Sequence, residues 1–211
     1  MAIMTERFKE ALLSSDEETA KRIMNEAKQE YTPLQFVEKV LVKTLDLIGD
    51  GWEKGEYALS QVYMSGKICE SLFDSLLVDQ KASLKNKPKL AIALLNDYHA
   101  LGKRIVVSNL KSGGYEIIDY DRVDVEELVT RTCEDRIELL LVSVLMLSSA
   151  LKAKEAIWQI HQKCPEVKVI VGGAPFRLNS ELWREVGADA VGITAADALS
   201  FVQSFHRGQQ L

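Results

Sequence analysis

Cysteine is scarce in this chain. Cys69, Cys133 and Cys164 are the only three in 211 residues, far apart and with no C-x-x-C spacing. Such an odd, scattered set speaks against a disulfide framework or a zinc site and predicts reduced thiols. Long apolar runs are missing too: none reaches 18 uncharged residues, so no membrane span is expected. The N-terminus, MAIMTERFKEALLSSDEE, is charged throughout and lacks the apolar stretch of a signal peptide. A cytoplasmic location is the expectation. Basic charge is in deficit, with 26 Lys+Arg against 31 Asp+Glu and the two signs interleaved, which argues against nucleic acid as a partner. No G-x-G-x-x-G follows the first predicted strand and no G-x-x-x-x-G-K-[ST] occurs, which disfavours nicotinamide cofactors and nucleoside triphosphates. Internal repeats and low-complexity segments are absent as well.

What is present changes character near residue 80. Up to that point the apolar spacing is helical throughout. Thr5 is placed to cap a first helix, Ser15 a second, Thr32-Pro33 a third and Ser60 a fourth. Phe36, Val37, Val40, Leu41, Thr44, Leu45 and Ile48 recur at i, i+3 and i+4, and Gly49-Asp50-Gly51 is predicted to end that third helix. Four helices on short turns predict a small antiparallel bundle. The polar, lysine-rich stretch ending at Pro88, residues 81–88, reads as a linker and a hinge. Beyond it, short apolar runs at 90–95, 115–120, 139–145, 167–171 and 190–193 alternate with helical segments near 102–112, 124–134, 149–163, 180–186 and 196–205. This alternation predicts α/β structure, a doubly wound, five-stranded parallel sheet of flavodoxin or Rossmann type. The expected division is a helical cap over 1–85 and a ligand-binding domain over 88–211.

Candidate site residues cluster after the predicted strands, where open α/β sheets hold their ligands. The first run is followed by Asp97-Tyr98-His99-Ala100-Leu101-Gly102, a D-x-H-x-x-G spacing. A lone loop histidine commonly does no more than hydrogen-bond locally. Here Asp97 can fix its tautomer and free the other ring nitrogen for a metal. His161 and His206 lie far off in sequence, so a metal on His99 would need its remaining ligands from a preformed macrocycle. After the third run, Ser148 or Ser149 could cap the next helix, or Ser143 and Ser149 could donate hydroxyls into the His99 crevice. After the fourth, Gly172-Gly173 is either a simple turn or room for a planar group against bare backbone. In the helical half, Trp52 is either core or a side chain projecting from a turn at one end of the bundle.

Taken together, Asp97-x-His99-x-x-Gly102, Ser143-x-Leu145 and Gly172-Gly173 resemble the successive motifs of the cobalamin-binding corrinoid methyl-carrier proteins, over nearly the whole chain. Gly49-Asp50-Gly51-Trp52-Glu53-Lys54-Gly55 and Leu59-Ser60-Gln61-Val62 resemble that family's helical cap. The resemblance implies His99 as the lower axial cobalt ligand in place of the dimethylbenzimidazole tail, with Asp97 and Ser149 completing a relay. It implies Tyr98, Ala100 and Gly102 in the same cofactor-binding loop, Ser143 on the benzimidazole, Leu145 beside it, and Gly172 and Gly173 lining the tail slot. Leu147 stands where the family carries a threonine. Gly192 and Thr194 are the tail contacts at the last strand end, where residues 191–196 depart from the family pattern. Trp52, Leu59 and Val62 would shield the upper corrin face, and Glu38 falls where the family's cap carries a corrin-contacting glutamate.

The implied cofactor is cobalamin or a related corrinoid, cycling between cob(I)alamin and methylcobalamin. The implied partners are a substrate-specific methyltransferase, a second methyltransferase passing the methyl to tetrahydrofolate or a thiol, and a reductive activase, with no nucleic acid and no membrane. Demethylation of O-methyl or N-methyl compounds or of methanol is the implied role, the chain being a carrier subunit more than a complete enzyme. The alternative is a cobalamin-dependent sensor or regulator. A mutase subunit is disfavoured by the helical first 80 residues.

Overall fold

The computed structural model describes residues 2–74 and 87–208, and the chain divides into two compact units, Met1–Val78 and Asp79–Leu211. Most of the linker assigned to 81–88 therefore lies outside the described residues. Among those described, no helix is long and apolar enough to cross a membrane.

The first unit contains α1 (Ala2–Leu13), α2 (Glu17–Ala27) and a third rod made of α3 (Pro33–Phe36), a π-helical stretch (Val37–Val42) and α4 (Lys43–Glu53), followed by α5 (Leu59–Asp74). Phe8, Leu12, Ile23, Val40, Leu41, Ile48 and Leu72 are buried between them, and Phe8 meets Phe36 edge to face at 5.5 Å. The helix starts differ in part from the sequence reading. Thr5 lies buried inside α1. Asp16, not Ser15, caps α2 by accepting the Thr19 N–H at 2.9 Å; Ser15 has φ +57°, in the left-handed region. Thr32 does cap the third rod, exchanging bonds with Gln35 in both directions. Ser60 falls inside α5, where Gln61 Oε1 accepts the Ala58 N–H instead.

Gly49-Asp50-Gly51 does not end the third rod, which continues to Glu53. The stop is Gly55, at φ +75°: its N–H donates to Trp52 O while the Glu56 N–H donates to Gly51 O, a Schellman closure. Gly51 is needed for packing, since a Cβ there would lie 2.2 Å from the Tyr57 ring.

The second unit is a five-stranded sheet of order β2-β1-β3-β4-β5, every pair parallel, as the alternating runs predict. Its strands are β1 (Leu90–Leu95), β2 (Ile117–Val123), β3 (Leu139–Ser143), β4 (Lys168–Gly172) and β5 (Ala190–Gly192). The helices are α6 (Leu101–Ser112), α7 (Val125–Glu134), α8 (Leu147–Lys163), the short α9 (Ala174–Leu178) and α10 (Leu182–Glu185), and α11 (Ala195–His206). Alternate strand residues feed two cores. Ala91, Ala93, Leu95, Leu140, Val142, Val169 and Val171 pack with Leu128, Ala153, Ile157 and Phe176. Leu90, Ile92, Leu139, Leu141 and Ile170 pack with Leu110, Ala198 and Val202. Helices on both faces explain why the central strands read as continuous apolar runs.

One expectation fails. Cys133, near the end of α7, and Cys164, just past α8, form a disulfide, with Cα atoms 5.9 Å apart. Two consecutive helices on one face of a parallel sheet end at the same edge. A spacing of 31 residues therefore closes to bonding distance, which the linear sequence conceals. Cys69 alone is free, and it is buried.

Candidate functional site

The strand order reverses at β1, whose neighbours are β2 on one side and β3 on the other, so the loops after β1 and β3 open a crevice at the carboxyl edge. The D-x-H-x-x-G loop and the Ser143–Ser149 segment flank it. Asp97 joins the two. Its carboxylate, 4% exposed, accepts the backbone N–H of Leu145 at 2.6 Å and of Met146 at 3.3 Å. These amides lie at the N-terminus of α8, where unpaired N–H groups and the helix dipole favour an anion. Met146 is the N-cap and makes no side-chain bond, so neither Ser148 nor Ser149, both inside α8, caps the helix. Ser149 is buried in the first turn of α8.

His99 is half-buried and Tyr98 is 75% exposed, while Ala100 is the N-cap of α6. Just before them, Asn96 has φ +54°, and its Oδ1 is buried without a hydrogen-bond partner. Gly102 closes the motif near β3: a Cβ there would lie 4.0 Å from Ser143 Oγ and meet nothing nearer. The first two motifs thus meet at the crevice.

The glycines after β4 serve a different need. A Cβ on Gly172 would come within 2.8 Å of Gly192 O, and one on Gly173 (φ +121°) within 1.7 Å of Val144 O. Their bare backbones let β4, β5 and the end of β3 approach one another, which is a packing requirement whatever else they line. Gly192 has only ordinary contacts around its Cβ position. Thr194 is a helix cap. It exchanges bonds with Asp197 in a capping box, Oγ1 accepting the Asp197 N–H at 3.1 Å and Asp197 Oδ2 accepting the Thr194 N–H at 2.8 Å.

In the helical unit, Trp52 ends α4 and Leu59 begins α5, both exposed beside the same turn, with Val62 half-buried one turn on. Glu38 is exposed on the π-helical stretch. Sequence reasoning missed Tyr63 and Met64, which extend the apolar surface around Leu59, and Met146, whose amide binds Asp97. The i+4 spacing of Tyr63 from Leu59 is the signal that could have found it.

Chemically, this edge offers an imidazole beside a fixed carboxylate, among apolar side chains that water would otherwise meet: Tyr98, Leu145, Met146, Leu147 and Ile193. Among the described residues, no group of three or more His, Cys, Asp or Glu is gathered to cage a metal. One nitrogen ligand and broad apolar walls suit a metal that brings its own planar ligand.

Fold and site together define a doubly wound cofactor-binding module joined to a helical unit. Residues 4–77 and 89–202 match two family models, each described as a B12 binding domain, and the chain belongs to the B12-binding family. Monomethylamine corrinoid protein 1 of Methanosarcina mazei is 31% identical over 178 residues, 79% of this chain and 80% of that protein. A corrinoid protein of Desulfitobacterium hafniense is 28% identical over 206 residues, 93% of this chain and 94% of the relative. The solved structure of the Methanosarcina barkeri monomethylamine corrinoid protein superposes with a TM-score of 0.83 at 26% identity, covering 97% of this chain and 99% of the other. The cofactor is thus a corrinoid of the cobalamin type.

Proposed function

We propose that this protein carries a methyl group between two methyltransferases, one that demethylates a methylamine-type substrate and one that loads tetrahydrofolate or a thiol, with a reductive activase in attendance. The observation that carries this reading is the meeting of the Asp97–His99 loop with the Ser143–Ser149 segment at the switch point, tied by Asp97 to the Leu145 and Met146 amides. The names of the methylamine corrinoid proteins that the chain is similar to support the substrate class. When bound, the corrinoid supplies a cobalt centre that accepts and gives up a methyl group.

The chain's residues hold and shield that centre. His99 would hold the cobalt through a ring nitrogen, and Asp97 and Ser149 would complete a relay behind it. Ser143, Leu145, Leu147, Gly172, Gly173, Gly192 and Thr194 line the slot for the nucleotide tail, with Tyr98, Ala100 and Gly102 beside the ring. Residues 1–85 form the helical cap, whose Trp52, Leu59, Val62 and Glu38 would be its contributions to corrinoid binding. Incubation of the cob(I)alamin-loaded chain with a methylamine-specific methyltransferase and its methylated amine tests the proposal. Substrate-dependent formation of the methylated cofactor, followed by spectroscopy, supports it. A loaded chain that stays unmethylated with methylamine, methanol and aryl methyl ether systems alike would refute it.

A further inference from the structure

The loop carrying His99, residues 96–103, is held by the carboxyl end of β2 at three points. The Asn96 N–H donates to Val123 O at 2.9 Å. The Arg122 guanidinium stacks on the Tyr98 ring, 4.0 Å from its centroid. Lys103, 3% exposed in the first turn of α6, places Nζ 2.5 Å from Asp119 Oδ1 and 3.3 Å from Asp121 Oδ1. A buried ammonium persists only where opposite charges meet it, so this contact fixes α6 against β2.

A bulge makes the grip possible. The β1–β2 register shifts between Ile92 and Leu94, giving β2 one extra residue at Tyr120–Asp121. Asp121 takes φ +57°, with its N–H donating to Asp119 Oδ1 at 2.8 Å. Tyr120 and Val123 consequently share one core although they are three apart, and an unbroken strand would put them on opposite faces. Asp121 and Arg122 are then both exposed at the sheet edge, where Arg122 reaches Tyr98.

We propose that Arg122 is a positioning residue for His99. By stacking on Tyr98 it restricts the residue between Asp97 and His99, while Asp97 is fixed on the other side by Leu145 and Met146. The consequence for cobalt rests on His99 being the axial ligand; the clamp itself does not.

The test uses the full chain and the variants Arg122→Ala, Arg122→Lys, Tyr98→Leu and the Arg122→Ala/Tyr98→Leu pair. Both residues are exposed, so the fold should persist. In the cofactor-free protein, amide hydrogen exchange over residues 96–103 should quicken about two- to fivefold in Arg122→Ala and in Tyr98→Leu, with no further gain in the double variant. Arg122→Lys, which keeps a cation over the ring, should restore most of the protection. With cob(II)alamin bound, the ratio of histidine-on to histidine-off species, read from nitrogen splitting of the electron paramagnetic resonance signal, should fall by a similar factor.

Unchanged exchange in Arg122→Ala overturns the proposal. So does a change in Arg122→Ala that Tyr98→Leu does not reproduce, since charge and not stacking would then be at work. Altered exchange in a protein whose cobalt shows no axial nitrogen supports the clamp and sinks only the axial reading.

Discussion

The carboxylate of Asp97 accepts the backbone N–H of Leu145 at 2.6 Å, binding the end of β1 to the start of α8 through a side chain that belongs to neither helix nor turn. This bond gives Asp97 a structural task separate from any effect on His99. Asp97→Ala orphans two amides and removes an anion from the α8 N-terminus, at a cost of about 1–3 kcal/mol. Asp97→Asn keeps an acceptor oxygen in place and should lose clearly less. Thermal melts of the cofactor-free variants check this, and equal losses in the two would mean the bond does not hold the site together.

The glycines separate packing from function. Gly173→Ala must place a Cβ 1.7 Å from Val144 O at φ +121°, so it should destabilise the second unit severely or prevent folding. Gly102→Ala meets only Ser143 Oγ at 4.0 Å, so the folded state should tolerate it or gain a few tenths of a kcal/mol. The added methyl nevertheless narrows the crevice wall. Corrinoid titration of a normally folded Gly102→Ala should show weakened binding, and an unchanged affinity would remove Gly102 from the cofactor contacts.

The Cys133–Cys164 link encloses β3, the Asp97-binding amides and all of α8 in one covalent loop. On the chain-entropy account, closing a loop of this length stabilises by about 3–4 kcal/mol. Reductant should therefore lower the unfolding midpoint of the wild type and leave Cys133→Ser unaffected. Intact mass after alkylation of the unreduced, denatured chain should count one thiol, Cys69. Three labelled thiols would show that the bond does not form.

Much of the fold was legible because its central strands are buried on both faces and its helices are amphipathic, so period and length alone separated the two halves. That the D-x-H-x-x-G, Ser143-x-Leu145 and Gly172-Gly173 segments share the carboxyl edge of the sheet was legible because each lies at or just after a strand end. What stayed hidden depends on contacts between distant residues. Gly49-Asp50-Gly51 reads as a stop, yet α4 runs through it, Tyr57 packs against Gly51, and Gly55 ends the rod. Ser149 reads as a cap for α8, but it lies inside the helix, whose N-cap is Met146, with an amide that donates to Asp97 from the loop after β1. The β2 bulge turns on the left-handed Asp121, and the disulfide on two helix ends that only the sheet brings together.

Tyr120 should make stability fall in alkali. Burial pushes its phenol well above the usual range, reinforced by donation to Asp135 Oδ2 at 2.7 Å and by that carboxylate's charge, with Arg131 opposing. A folded-state pKa above the unfolded value stabilises fully below the unfolded pKa of about 10, and the contribution is lost as pH climbs from there toward the folded value. Urea midpoints should drop as pH rises above about 10 in the wild type and drop less in Tyr120→Phe. Parallel slopes in the two proteins would assign the alkaline loss elsewhere.

Trp52 provides the test of the cap. It is 46% exposed near the end of α4, and Leu59, which opens α5, is exposed as well, so the helical unit presents large apolar side chains at this turn. If they lie over the upper face of the bound corrinoid, they exclude water from the methyl group and confine the radical pair that light generates there. Trp52→Ala opens that cover without touching the buried core of Phe8, Leu12 and Leu41, so the fold should be retained. Net photolysis of bound methylcobalamin should then accelerate, because fewer radical pairs recombine before solvent or oxygen intervenes. Leu59→Ala, on the other side of the same turn, should act in the same direction. Photolysis rates equal to wild type in both variants, with cofactor still bound, would show that this surface does not cover the methyl group.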